Sequence, residues 1–205
     1  MAKTKLCGMM RDEDILAVNE LRPEYAGFIF WDKSFRNLNK ETAVHFRQLL
    51  NPSIDAVGVF VDADPLFIAE LVNDEVINLV QLHGSENEDY IRTLKKLILP
   101  ATPLIKAVKV TNADDVKRAL DIPVDYLMFD PGKGSGNTFN WELIRDVERP
   151  YFLAGGLTPE NVGPAIEALN PYGVDVSSGI ETDKKKDYEK MKKFVSAVRQ
   201  AQERN

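Results

Sequence analysis

The chain has 205 residues, 44% of them hydrophobic and 28% charged, with 12 glycines and 11 prolines; this ordinary globular usage excludes collagen-like, low-complexity and wholly disordered chains. A count of 26 Lys and Arg against 32 Asp and Glu leaves a formal charge of −6, which argues against a non-specific nucleic-acid binder but leaves room for a small anionic ligand where a few cations converge. The single cysteine, Cys7, excludes an intrachain disulfide framework and cysteine-rich zinc sites; with no run near the roughly 20 apolar residues of a membrane span and no signal-peptide core in MAKTKLCGMM, a soluble cytoplasmic protein is expected.

In chain order, the first predicted strand is Thr4-Lys-Leu-Cys7, closed by Gly8, and Asp12 is placed to cap a helix over 13–21. YAGFIF (25–30) forms the second strand, followed by a long loop holding Ser34-Phe-Arg36 and a helix over 40–50 capped by Asn39. AVGVFV (56–61) and INLVQL (77–82) follow, and Ile91, Leu94, Leu97 and Ile98 then repeat with helical spacing. PLIKAVKV (103–110) and DYLMFD (125–130) precede Pro131 and a glycine-rich loop at 132–137. After PYFLAG (150–155), Thr158 is expected to cap a helix with Pro159 at its first position. YGVDVS (172–177) is the eighth strand, and Tyr188, Met191, Phe194, Val195 and Val198 mark a final helix. Most strand runs are uninterrupted rather than alternating, as parallel strands covered on both faces require.

Eight βα units in 205 residues give a period of roughly 25, near the lower end for a (β/α)8 TIM barrel. A doubly wound open sheet would need no eighth strand and would carry a glycine-rich first turn, which Cys7-Gly-Met-Met-Arg is not. No linker divides the chain, so one barrel domain over residues 1–205 is expected. The mixed-sign stretch Lys184-Lys-Lys-Asp with Glu189-Lys reads as a solvated face, and a monomer is the default.

In such a barrel, chemistry sits at the C-terminal strand ends. The residues there are Cys7, Arg36, Asp62, His83, Lys109, Asp130, the 132–137 loop, Gly155-Gly156, and Asp175 with Ser177-Ser178-Gly179. A thiol at Cys7 is a better proton acceptor near neutrality than a carboxylate, more so where cations lower its pKa. Asp130, desolvated at the mouth, would hold its proton and donate it. The loop 132–137 lacks the Gly-Lys-Ser/Thr ending of a P-loop and reads as a cover for the mouth. Gly155, Gly156, Ser178 and Gly179 stand where barrels of this kind hold phosphate through backbone N–H groups, and Arg36 beside them suits a substrate carboxylate. With no Gly-x-Ser-x-Gly elbow a Ser-His-Asp hydrolase is excluded. One histidine at a strand end is too few for a metal-dependent epimerase, so His83 reads as a polar residue held by hydrogen bonds. No metal is expected.

Cys7-Gly, Gly27-Phe-Ile-Phe with Ser34-Phe-Arg36, Val57-Gly-Val-Phe-Val, Val80-Gln-Leu-His-Gly84, Asp130, Phe139-Asn-Trp141, Leu153-Ala-Gly-Gly-Leu157 and Gly173-Val-Asp-Val-Ser-Ser-Gly179 occur in order along residues 5–181. In these blocks the chain resembles the phosphoribosylanthranilate isomerases. The resemblance implies a cofactor-free Amadori rearrangement in tryptophan biosynthesis, with Asp130 as general acid and Cys7 thiolate as general base. It also implies that Arg36 holds the anthranilate carboxylate, Asp175 a sugar hydroxyl, and Gly155, Gly156, Ser178 and Gly179 the phosphate. Where the resemblance leads one to expect Lys and Asp, the chain has Asn137 and Asn140. The alternatives are another phosphate-binding barrel isomerase or epimerase, or a barrel that binds a phosphorylated metabolite without turnover. Neither nucleic acid nor membrane is an expected partner.

Overall fold

Burial with a period of two along the strands separates two cores. One face of each strand points into the barrel, where Tyr25, Val57, Leu79, Ile105, Ala107, Met128, Phe152 and Ala154 pack together. The residues between them, such as Leu6, Phe28, Phe60, Leu82, Phe129 and Val174, face the surrounding helices. Both faces are thus covered, which is why the runs read as continuous apolar segments.

The computed structural model describes residues 2–130 and 141–204; the loop 132–137, with Asn137 and Asn140, lies outside them. The strands are β1 (Lys3–Cys7), β2 (Tyr25–Phe30), β3 (Asp55–Phe60), β4 (Leu79–Leu82), β5 (Leu104–Lys109), β6 (Tyr126–Asp130), β7 (Tyr151–Leu153) and β8 (Gly173–Val176). They form a closed barrel in sequence order, sealed by parallel pairing of β1 with β8 from Lys3↔Gly173 to Leu6↔Val176. The (β/α)8 architecture expected from the sequence is the one observed. Around it lie α1 (Asp12–Leu21), α2 (Lys40–Leu49), α3 (Pro65–Asn73), α4 (Glu88–Leu97), α5 (Ala113–Leu120), α6 (Val162–Leu169) and α7 (Tyr188–Arg204), with a short 3-10 helix (Trp141–Ile144) between β6 and β7 among the described residues. At the N-terminal end of the strands the Tyr172 hydroxyl meets those of Tyr25 at 3.0 Å and Tyr126 at 3.2 Å, closing that end. No helix among the described residues is long and apolar enough to cross a membrane.

Three local readings are corrected. Asp12 is the first residue of α1, not its cap; Asp14 instead accepts from the Met10 and Arg11 amides at 2.9 and 3.1 Å. Asn39 does cap α2, accepting from the Thr42 amide at 2.8 Å. Thr158 and Pro159 do not open α6, which begins at Val162. They form a turn before it, fixed by the Asn161 side chain, which accepts from the Thr158 amide at 2.8 Å and donates to the Gly156 carbonyl at 3.0 Å. The third concerns the lysine stretch before α7. It forms a hairpin, β9 (Glu181–Thr182) with β10 (Lys185–Lys186), that folds Lys186 inward until its side chain is fully buried. Two-residue strands carry too little pattern to be read from sequence.

Candidate active site

Alternation along β1 puts Lys5 and Cys7 on the same inner face. Cys7 ends β1 opposite Gly27 of β2, and a methyl group on Gly27 would lie 2.6 Å from the Cys7 sulfur. The missing side chain is the space the thiol fills. Gly8 follows with φ +81°, and a Cβ there would meet the Arg36 side chain at 2.6 Å and Ser177 Oγ at 3.2 Å. Cys7-Gly8, Arg36 and Ser177 therefore form one cluster, drawn from β1, the loop after β2 and the end of β8.

Arg36 is almost wholly buried. Its Nε and Nη2 donate to the two oxygens of Glu181 at 2.7 and 2.6 Å, and its guanidinium stacks 4.1 Å above the Phe35 ring. Glu181 Oε1 also accepts from Lys186 Nζ at 2.7 Å, and Lys186 donates to the Ser177 carbonyl at 3.0 Å. Burial works against the Glu181 carboxylate, but these two cations outweigh it and hold it below the usual carboxylate range. Asp175 lies one layer below the mouth, paired with the fully buried Lys5 at 2.7 Å. Burial disfavours the Lys5 ammonium, yet Asp175 and Cys7 prevail and raise its pKa. For Cys7 the balance goes the other way. Burial pushes the thiol up despite the opposing cations Lys5 and Lys186, so the condition under which cations would lower its pKa is not met.

Asp130 ends β6, its side chain 26% exposed, with Oδ2 3.6 Å from Nε2 of His83. On the far side of that ring, Gln81 Nε2 donates to His83 Nδ1 at 2.9 Å. His83 is thus held by a hydrogen bond, as its sequence context suggested, and it also faces Asp130. Lys109 is exposed on β5, in register with Asp130. Asp62 accepts from the Ser85 amide at 2.7 Å and hydroxyl at 2.9 Å, shaping the loop after β4.

Gly155 and Gly156 adopt φ +80° and +69° after β7, a conformation that leaves the backbone bare. Ser178 and Gly179 open a short 3-10 turn (Ser178–Ile180) after β8. A Cβ on Gly179 would lie 1.9 Å from the Leu157 carbonyl oxygen, so the two loops pack backbone against backbone. Gly179→Ala is expected to cost at least ~1–3 kcal/mol of stability, the penalty of forcing an extra carbon into a packed contact. Urea unfolding measures it, and an unchanged midpoint would show that the loops part freely.

The sequence-predicted residues Cys7, Arg36 and Asp175, with the loops at Gly155-Gly156 and Ser178-Gly179, come together along β7, β8, β1 and β2, and Asp130 enters from β6. The reading missed Lys5, Glu181, Lys186 and Gln81. Lys5 had a signal: a lysine two residues before Cys7 must share its inner face.

Residues 4–197 match the family model described as N-(5'phosphoribosyl)anthranilate (PRA) isomerase. An N-(5'-phosphoribosyl)anthranilate isomerase of Endomicrobium trichonymphae is 43% identical over 204 residues, 97% of this chain and 99% of that protein. The crystal structure of phosphoribosyl anthranilate isomerase from Thermotoga maritima is similar with a TM-score of 0.88 and 38% identity, covering 98% of this chain and 100% of that one. Another phosphoribosyl anthranilate isomerase structure, in complex with reduced 1-(o-carboxyphenylamino)-1-deoxyribulose 5-phosphate, has a TM-score of 0.86 and 38% identity over the same shares. A closed parallel barrel with its polar groups gathered at the C-terminal mouth defines an enzyme of the (β/α)8-barrel class. Within that class the chain belongs to the N-(5'-phosphoribosyl)anthranilate isomerase family.

Proposed function

We propose that the barrel converts N-(5-phosphoribosyl)anthranilate to 1-(2-carboxyphenylamino)-1-deoxyribulose 5-phosphate, an Amadori rearrangement in tryptophan biosynthesis that needs no cofactor. The observation that carries this reading is an acid of one type and a base of another, Asp130 on β6 and Cys7 on β1, at one barrel mouth in a chain of this family.

Asp130 protonates the ribose ring oxygen, and the ring opens to an iminium. Cys7 as thiolate takes the C2′ proton, which gives an enolamine. The enol then loses its hydroxyl proton and C1′ gains one, leaving the ketone. Protons balance: two are gained, at the ring oxygen and C1′, and two are lost, from C2′ and its hydroxyl. Arg36 holds the anthranilate carboxylate. Glu181 occupies its Nε–Nη2 edge, so the substrate approaches the other edge or displaces Glu181. Gly155, Gly156, Ser178 and Gly179 supply the backbone cradle for the phosphate. Asp175 reaches a sugar hydroxyl while its Oδ1 stays on Lys5.

The test is loss of anthranilate-derivative fluorescence when purified protein meets substrate generated in situ. A first-order decay that depends on enzyme concentration is expected. Persistent fluorescence with tight binding of the substrate would instead mark a barrel that binds the phosphometabolite without turning it over.

A further inference from the structure

The hairpin β9–β10, which looks like a solvated surface stretch in sequence, delivers two charges to the underside of the mouth. Around Cys7 the structure packs Lys5 of β1 against Asp175 of β8, and Lys186 of β10 against Glu181 of β9, which also grips Arg36. Lys5 acts on the thiol through its charge and a hydrogen bond, whereas Asp175 and Lys186 act on it through charge alone. Three cations face two carboxylates, so this buried set carries one surplus positive charge while Cys7 is a thiol and is neutral once it is a thiolate.

Lys5 favours the thiolate most strongly; because uncompensated buried charge is costly, the location of the surplus marks a second cation that favours it. Lys5 is matched one to one by Asp175 at 2.7 Å. Glu181, in contrast, is shared between Arg36 and Lys186. Lys186 is also immobilised: its side chain is fully buried, and its ammonium donates to Glu181 Oε1 at 2.7 Å, the Ser177 carbonyl at 3.0 Å and Ser177 Oγ at 3.3 Å. Ser177 in turn sits against Gly8, the residue after the thiol.

We propose that Lys186 is a positioning residue for proton abstraction: locked by Glu181 and Ser177, its ammonium is the counter-charge that, beside Lys5, lets Cys7 stand as a thiolate after its proton has passed to solvent. The inference rests on the role given to Cys7 above. Glu181 then serves both ends of the site, orienting Arg36 and holding Lys186.

Because Cys7 is the only thiol, thiolate formation can be followed by ultraviolet absorbance in the ligand-free protein, with Cys7→Ser as the blank for tyrosine ionisation. Lys186→Met should move the thiolate midpoint up by at least ~1 pH unit, a tenfold loss of thiolate at fixed pH, and Lys186→Arg should recover most of it. A Lys186→Met midpoint superposed on wild type overturns the proposal. Glu181→Gln gives an independent arm should Lys186→Met fail to fold. It leaves both cations without their shared carboxylate, so the midpoint should fall, and a midpoint that stays or rises is equally fatal. No substrate enters these titrations. An unchanged midpoint would leave the isomerase reading intact, whereas normal titration in a protein that does not turn over the substrate would fault that reading alone.

Discussion

Cys7→Ala and Asp130→Asn are each expected to lower kcat by ~10²–10⁴-fold, the range that a positioned acid or base contributes, with KM changed far less. Neither substitution touches the residues proposed to hold the substrate. Alanine leaves the Cys7 backbone and its pairing to Gly27 in place, and asparagine keeps the shape of a side chain already partly open to solvent. The two variants should stall at different points. On the proposed roles, loss of Asp130 should slow ring opening itself, whereas loss of Cys7 should leave the ring opening and closing while C2′ keeps its proton, so that anomers still interconvert. Steady-state kinetics with an anomerisation assay separates these outcomes, and near wild-type turnover by either variant removes that residue from the mechanism.

Lys5→Met is expected to be the most damaging single change to stability, about 3–5 kcal/mol, because it strands the carboxylate of Asp175 inside the barrel. Lys5 is fully buried and Asp175 only 11% exposed, so solvent relieves little of the loss. The double variant Lys5→Met/Asp175→Leu should recover most of it, since an apolar pair of similar volume in a barrel interior costs little. Denaturant unfolding of the three proteins checks this, and equal losses in single and double variants would count against it. The pair also sets a pH dependence. The folded-state pKa of Lys5 lies above the ordinary lysine value of 10.5. Its contribution is therefore complete below that value and lost only as pH rises through the higher, folded-state value.

Much of the scaffold was legible because each strand is a short apolar run and each mouth residue follows one. Cys7, Asp130 and the glycine pairs could be found by asking only what stands at a strand end. What escaped depends on where the chain goes next. Lys186 lies in a run of lysines whose composition says solvent, and only the turn at Asp183-Lys184, both at positive φ, folds it under the mouth. Glu181 was invisible for the same reason, since its partner Arg36 is 145 residues away. The charges on the thiol could be guessed in sign but not in outcome, because burial of Cys7 outweighs them.

The contact of Gly179 with the Leu157 carbonyl has a bearing on how such a barrel can diverge. Barrel loops are usually modular, each free to be exchanged while the frame stays constant. Here the loops after β7 and β8 interlock through bare backbone, and Asn161 ties the first of them to the start of α6. The three segments constitute one heritable unit. A graft of either loop from another barrel would have to bring its neighbour with it.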